Sequence, residues 1–125
     1  MNQDEVVFSY SRHQAIADGV LRDVSAMAQE SGFRYAVALT AAAWADCVSW
    51  PGVRIGSGQS ESGRLWDVLN MARLAVRRAA GPAVQFTVLV VPLLGGRPQP
   101  MRLKMVVGPG DDLEPVITIM LPDED

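Results

Sequence analysis

One stretch of clean helical periodicity, from Ser60 to Gly81, constrains the fold more than any other feature of the chain. Ser60 is a good N-cap, because its hydroxyl can accept a hydrogen bond from an unpaired backbone N–H, and Glu61 adds negative charge at the helix start. Gly81, followed by Pro82, is typical of a helix end where glycine takes the left-handed conformation. The apolar residues repeat at helical spacing and predict the core face: Leu65, Val68, Leu69, Ala72, Ala75, Val76 and Ala79.

The opposite side of this predicted helix mixes polar, basic and large apolar residues, and two interpretations of it stay open. Its apolar members, Trp66, Met71 and Leu74, could pack beneath neighbouring loops. Alternatively, a tryptophan beside arginines could form a partner-binding face, since these residue types are enriched at the energetic centres of interfaces. The residues predicted to contact a partner on this face are Trp66, Asn70, Arg73 and Arg77.

The segments after Pro82 change from helical to alternating periodicity, which predicts β-strands. The third of these segments is β-branched and apolar on both sides, so we expect it to lie centrally in a sheet or to be covered. Three consecutive strands favour an antiparallel meander, with the central helix lying across its apolar face. The predicted strands are Val84–Val91, Met101–Val107 and Val116–Leu121.

The part of the chain before Ser60 contains shorter patterns. Capping residues and glycines predict three short helices, with Ser11, Ser25 and Thr40 as the N-caps. The segment Phe33–Leu39 could be a strand, although its alanines leave this open. We therefore predict a single α+β domain over residues 1–125, in which short N-terminal helices precede a central amphipathic helix packed on a C-terminal three-stranded antiparallel sheet. The remaining predictions are helices over Arg12–Asp18, Ser25–Glu30 and Ala41–Trp50, and extended segments over Val6–Tyr10 and Val20–Val24.

Length and composition limit the class of protein. At 125 residues, of which 49% are hydrophobic, the chain is long enough for one domain with a substantial core. It has no uninterrupted apolar run of about 18 residues, so we expect no membrane span. Its N-terminus is acidic and lacks an apolar segment, so we expect no secretory signal. The single cysteine, Cys47, excludes an internal disulfide and fits a reducing cytoplasm.

The net charge of −3 is unevenly distributed along the chain. Residues 1–60 carry four arginines and six acidic residues, and residues 61–110 carry seven lysines or arginines and two acidic residues. Residues 111–125 carry six acidic residues and no basic one. An acidic protein is a poor nonspecific ligand for nucleic acid, because that affinity comes mainly from neutralising phosphates. Its acidic surface could instead compete for the basic groove of another protein.

Three of the acidic residues, Asp111, Asp112 and Glu114, cluster in a turn rich in glycine and proline, and their spacing matches no calcium-binding loop. We therefore expect no metal and no cofactor, and we predict that these three residues contact a protein partner. The alternative partner is nucleic acid, which would bind basic residues of the middle segment: Arg73, Arg77, Arg78, Arg102 and Lys104.

A catalytic pair is the remaining candidate chemistry. His13 and Cys47 are the only histidine and the only cysteine, and their spacing does not support a nucleophile paired with its base. Cys47 lies in an apolar segment between Trp44 and Trp50, where a buried, inert thiol is the usual case. We therefore expect no enzymatic activity.

Four segments of the chain carry a resemblance to known proteins: Ser11–Val24 (SRHQAIADGVLRDV), Val37–Val48 (VALTAAAWADCV), Gly63–Leu69 (GRLWDVL) and Gly108–Pro122 (GPGDDLEPVITIMLP). They resemble an uncharacterised family of small proteins carried by bacterial plasmids and integrative elements. This resemblance implies that the protein is cargo of a mobile element, and such small acidic proteins often block host defence, including CRISPR effector complexes. We therefore expect a non-enzymatic inhibitor that acts in the cytoplasm on a host nucleoprotein complex.

Overall fold

The computed structural model describes residues 10–51 and 58–125. The predicted strand Val6–Tyr10, apart from Tyr10, and most of the loop before Ser60 lie outside these residues. The described part of the chain combines helices and strands, which confirms the predicted α+β class. Its helices are α1 (Arg12–Ala17), α2 (Ser25–Ser31), α3 (Ala41–Cys47) and α4 (Glu61–Val76). Its strands are β1 (Leu21–Asp23), β2 (Ala36–Thr40), β3 (Ala83–Val90), β4 (Gln99–Pro109) and β5 (Pro115–Met120).

The strands form one five-stranded mixed sheet in the order β1-β2-β5-β4-β3. The antiparallel pairing of β3 with β4 and of β4 with β5 agrees with the predicted meander. The prediction that the sheet contains only three antiparallel strands is wrong, because β2 pairs with β5 in parallel and β1 pairs with β2 in antiparallel fashion. β2 is short and rich in alanine, and its partner lies far along the chain, so local periodicity could not reveal the pairing. β5 is the central strand, which explains why it is apolar on both sides.

The main core lies on the face of the sheet that α4 covers. α4 packs on β3 and also contacts α2 and α3. Two residues predicted for its core face are exposed: Val76, which is the last residue of the helix, and Ala79, which lies beyond it because α4 does not continue to Gly81. The other predicted core residues of α4 are buried: Leu65, Val68, Leu69, Ala72 and Ala75. The strands contribute the side chains of Leu39, Phe86, Leu103, Met105 and Ile119.

The helix starts follow the predicted capping residues with one exception. Ser11, Thr40 and Ser60 are confirmed as N-caps, since each side-chain oxygen accepts a hydrogen bond from a backbone N–H in the first turn. Ser25 is not a cap but the first residue of α2, and its hydroxyl donates to the carboxylate of Asp23 in β1. Local side-chain hydrogen bonds therefore set the starts of α1, α3 and α4.

The end of α4 shows why the predicted glycine stop was wrong. The N–H groups of Arg77, Arg78 and Ala79 bond to carbonyls three residues earlier instead of four. This tightens the last turn and satisfies the final carbonyls of the helix, so no left-handed residue at Gly81 is needed. With 16 residues, α4 is still too short to cross a bilayer, and no other described helix combines the length and apolar character of a membrane span.

Candidate binding surfaces

The predicted contact residues of α4 lie along one line of the helix, because spacings of three and four residues return to the same side. Trp66 is 38% exposed and Arg77 is exposed, whereas Asn70 and Arg73 are half-buried. Leu74 lies beside this line and is 43% exposed. We call these five residues the outer α4 surface.

The large apolar residues of α4 that face away from the core are open to solvent. Met71 is 39% exposed, close to the values for Trp66 and Leu74. In the part of the chain that the structure describes, these three residues are therefore not packed beneath loops. A tryptophan with more than a third of its surface in water, on the same helix as an exposed leucine, is typical of a surface that a partner covers.

Arg73 is positioned by packing against the end of α2. A Cβ atom at Gly32 would lie 3.1 Å from Arg73 Cδ, so the missing side chain at Gly32 makes room for the arginine stem. The Nε atom of Arg73 is buried and has no hydrogen-bond partner in the described part of the chain. An unpaired buried donor costs about 1–3 kcal/mol, which the packing of the arginine stem must offset.

The predicted acidic residues Asp111, Asp112 and Glu114 lie in the turn between β4 and β5, and all three are exposed. Asp111 is nevertheless engaged within the chain, because its carboxylate accepts hydrogen bonds from the N–H groups of Arg12 at 2.7 Å and His13 at 2.9 Å. These N–H groups begin α1, where negative charge is favoured. The bond from His13, followed by that from Arg12, holds the pKa of Asp111 below its usual value. Asp111 therefore joins the turn to α1, the carboxylate of Glu114 accepts a hydrogen bond of 3.0 Å from the N–H of Asp112, and the side chain of Asp112 is exposed to solvent.

Replacement of Asp111 by asparagine is expected to destabilise the protein in a pH-dependent way. Because the folded protein lowers the pKa of Asp111, the carboxylate stabilises the fold above its unfolded pKa, about 3.9 for aspartate. This stabilisation is lost as the pH falls through the lower folded value. We expect the wild type to melt at a higher temperature than Asp111→Asn at neutral pH, and the difference to shrink below about pH 4. Thermal melts at several pH values measure this, with Asp112→Asn in the same turn as the matched control. A difference that stayed constant with pH would contradict the role given to the Asp111 carboxylate.

The outer α4 surface and the acidic turn lie on opposite faces of the sheet. Ile117 and Ile119 of β5 point into the core beneath the helices. Thr118 lies between them and points to the other face, where its hydroxyl accepts a hydrogen bond of 2.8 Å from the guanidinium of Arg12. Asp111, which binds the start of α1 at Arg12, lies on that same face. The two predicted groups therefore do not form one continuous surface.

The C-terminal acidic residues are also divided between internal contacts and solvent. The carboxylate of Glu124 accepts a hydrogen bond of 2.7 Å from the hydroxyl of Thr40, and its backbone carbonyl accepts one from the ammonium group of Lys104. Asp123 and Asp125 are exposed. The tail is thus anchored to the sheet, and one of the predicted basic residues, Lys104, is engaged by it.

Arg64 is a buried charged residue whose burial the sequence did not predict. It is only 4% exposed, and its guanidinium donates to the carbonyls of Val48 at 3.1 Å and Val91 at 2.9 Å and to the side-chain oxygen of Gln59 at 3.1 Å. Its Cζ atom lies 5.0 Å from the centroid of the Trp50 ring. Burial lowers the pKa of Arg64. Its position directly before Leu65, at the edge of the apolar arc, was the available signal for its burial.

Cys47 is buried as expected and contacts the same region of the core. Burial, with a smaller contribution from Asp46, raises the pKa of its thiol to about 11. The thiol is therefore protonated at neutral pH, whereas a cysteine nucleophile must be a thiolate. His13, the other member of the candidate pair, lies in α1, whose first residue Arg12 reaches the opposite face of the sheet.

A groove of about 1010 Å³ lies beside α1, the β4–β5 turn and the C-terminal tail. Its polar groups bond one another: Tyr10 donates to Asp18 at 2.7 Å, and Arg12 donates to Thr118 and to the carbonyl of Ile117. Among the residues that the structure describes, no group of three His, Cys, Asp or Glu side chains is arranged to hold a metal ion. Periodicity carries no signal for this groove, because its residues come from distant parts of the chain.

Comparison with known proteins adds a family but no activity. The model of DUF6573, described as a family of unknown function, matches residues 1–125. No curated protein matches the chain, and no solved structure matches it.

Proposed function

We propose that this chain, which belongs to the family of unknown function DUF6573, works by binding another protein and has no catalytic role. The observation that carries the proposal is the outer α4 surface. It exposes Trp66 and Leu74 beside Arg73 and Arg77 on a rigid helix, and tryptophan and arginine are the side chains that most often dominate binding energy at interfaces.

The partner that we propose is a host defence complex of protein and nucleic acid, of the CRISPR type, which the protein would inhibit in the cytoplasm. The support for this partner is the resemblance of the sequence to small proteins of plasmids and integrative elements. Effector complexes of this type hold guide RNA and target DNA in positively charged channels. The exposed acidic residues Asp112, Asp123 and Asp125 carry charge that is complementary to such a channel.

Nucleic acid is the alternative partner, and the placement of the basic residues favours it less. Arg73 lies on α4 and Arg77 directly follows it, whereas Lys104 lies on β4 and donates to the carbonyl of Glu124. Affinity for nucleic acid requires several cations along one path, each neutralising a phosphate. Arg78 and Arg102 line one groove, but Lys104 is already engaged by Glu124, and the exposed Trp66 and Leu74 are apolar, so a protein partner is the better supported choice.

Substitution of Trp66 by alanine is the direct test. In a binding titration against a purified CRISPR-type effector complex, we expect Trp66→Ala to weaken binding at least about 10-fold, since anchor residues contribute about 2 kcal/mol or more. Tyr35→Ala is the matched control, because Tyr35 is another exposed aromatic residue, 46% accessible, outside the outer α4 surface. Equal affinities of wild type and Trp66→Ala would reject this surface, and no binding by the wild type would reject the partner. The contribution of the acidic turn is best tested by reversing the charge of Asp112. A change at Asp111 would also remove its hydrogen bond to the start of α1.

A further inference from the structure

β3 is an outer strand of the sheet and has one open side. It pairs with β4 along all eight of its residues, and it is the last strand in the sheet order. In the described part of the chain, no strand pairs with its other side. The opposite outer strand, β1, has only three residues. β3 therefore offers the longer edge for a further strand.

The direction of the backbone groups follows from the hydrogen bond between the N–H of Val107 and the carbonyl of Pro82, 2.7 Å long. Pro82 and Val107 continue the register in which Ala83 lies opposite Val106. Hydrogen-bonded and non-bonded pairs alternate along antiparallel strands. The residues of β3 whose N–H and C=O groups point away from β4 are therefore Ala83, Gln85, Thr87 and Leu89, and all four are exposed.

The composition of β3 leaves this edge open to pairing. Natural sheets protect their outer strands with charged residues, proline, bulges or short length. The β3 sequence AVQFTVLV contains no charged residue and no proline. β1 shows the usual protection, since it is short and carries Arg22 and Asp23. Of the two edges, β3 is the one suited to accept another strand.

A groove of about 510 Å³ runs along this edge, and the residues that line it indicate which kind of segment would bind there. Met71 and Arg78 line it from the side of α4, while Arg102 lines it from β4, directly opposite Thr87 in the sheet register. The charged side chains that line the groove are both arginines. A segment lying here would meet an apolar surface at Met71 and positive charge on both sides.

We propose that β3 binds an extended acidic segment of a partner protein as a sixth strand. The open N–H and C=O groups would form the ladder. Side chains on the α4 side would pack near Met71, and carboxylates on the other side would reach Arg102. This inference deepens the proposed function, since it names the kind of segment that the partner offers, but it depends on β3 and not on the outer α4 surface.

A second copy of the chain is the less suitable occupant. In a symmetric dimer that pairs the β3 strands of two copies, the same side chains of both copies would lie near each other across the two-fold axis. Arg78 and Arg102 of each copy would then meet arginines, whereas an acidic segment would neutralise them. Charge complementarity therefore selects the acidic segment.

Amide hydrogen exchange with a peptide probe tests the proposal. The probe is a peptide of alternating glutamate and valine with the length of β3, and its control replaces glutamate by lysine. We expect the glutamate peptide to slow exchange at the amides of Gln85, Thr87 and Leu89 at least about 10-fold, and the lysine peptide to have little effect, because hydrogen-bonded amides exchange only upon opening. No slowing by the glutamate peptide would overturn the proposal. Slowing that depends on protein concentration without any peptide would also overturn it, because the occupant would be a second copy.

Two variants show whether binding uses the edge and its charge. Thr87→Pro removes an outward N–H without removing a bond to β4 and should abolish the protection, whereas Thr87→Val should keep it. Arg102→Glu should reverse the preference between the two peptides and remains informative if the proline variant fails to fold. Trp66→Ala should leave peptide binding unchanged, so failure at β3 and failure of the outer α4 surface give different results.

Discussion

Replacement of Leu69 by alanine is expected to lower the free energy of unfolding by about 2–5 kcal/mol, the usual range for a buried leucine. Leu69 lies in the middle of α4 and is fully buried in the core between the helices and the sheet. The change removes apolar contacts and leaves a cavity that the strands beneath α4 cannot fill without moving. Urea unfolding monitored by tryptophan fluorescence measures the loss.

The matched control for this prediction is Leu74→Ala in the same helix. Leu74 is 43% exposed, so its truncation is expected to change stability by less than about 1 kcal/mol. Both substitutions keep a good helix former in α4, which means that their difference reports burial and not helix propensity. If the two variants unfolded alike, α4 would not be held on the sheet through Leu69.

Replacement of Arg64 by alanine is expected to lower the free energy of unfolding by about 2–4 kcal/mol. Its guanidinium connects the segment after α3, the start of α4 and the segment after β3 through the carbonyls of Val48 and Val91 and the side chain of Gln59. A hydrogen bond to a charged group contributes roughly 1.5–3 kcal/mol, and acceptors that lose their donor become buried and unpaired.

Two further variants show whether the loss of stability comes from the hydrogen bonds of Arg64 or from the loss of a positive charge. Arg64→Lys keeps the charge but cannot reach all three acceptors at once, so we expect an intermediate loss of stability. Arg77→Ala removes an exposed arginine from the end of the same helix and should change stability by less than about 0.5 kcal/mol. Denaturant titration of the three variants provides the comparison, and equal stabilities of Arg64→Ala and Arg77→Ala would contradict the structural role of Arg64.

The parts of the fold that were predictable depend on short-range patterns. Ser60 marks the start of α4 through a hydrogen bond to Gly63, three residues away, and the alternation of Phe86 and Val88 with Thr87 identifies β3. These signals need only a few neighbouring residues. The antiparallel order of β3, β4 and β5 follows from their succession in the chain.

The parts that were missed or left open, such as the possible strand Phe33–Leu39, depend on partners distant in sequence. β2 becomes a strand because Val37 and Leu39 pair with β5 at the other end of the described chain. Arg64 is buried because carbonyls from two separate segments surround it, and its place at the edge of the apolar arc was only a partial signal for this. The sequence does not distinguish Asp111 from the two other acidic residues of its turn, because the N–H groups that it binds lie at the start of α1, far away in the chain. The outer α4 surface was predicted as a line of residues, and the structure adds the exposure of its side chains.

The central position of β5 has a consequence for the order of folding. β1 and β2 form one pair and β3 and β4 another, and β5 lies between these pairs although it follows all of them in the sequence. During synthesis, neither pair can join the other until β5 has left the ribosome. Nascent chains that lack β5 therefore expose two open inner edges, at β2 and at β4. Because contacts of this kind span most of the chain, the closing step carries a high contact order and is expected to limit the folding rate.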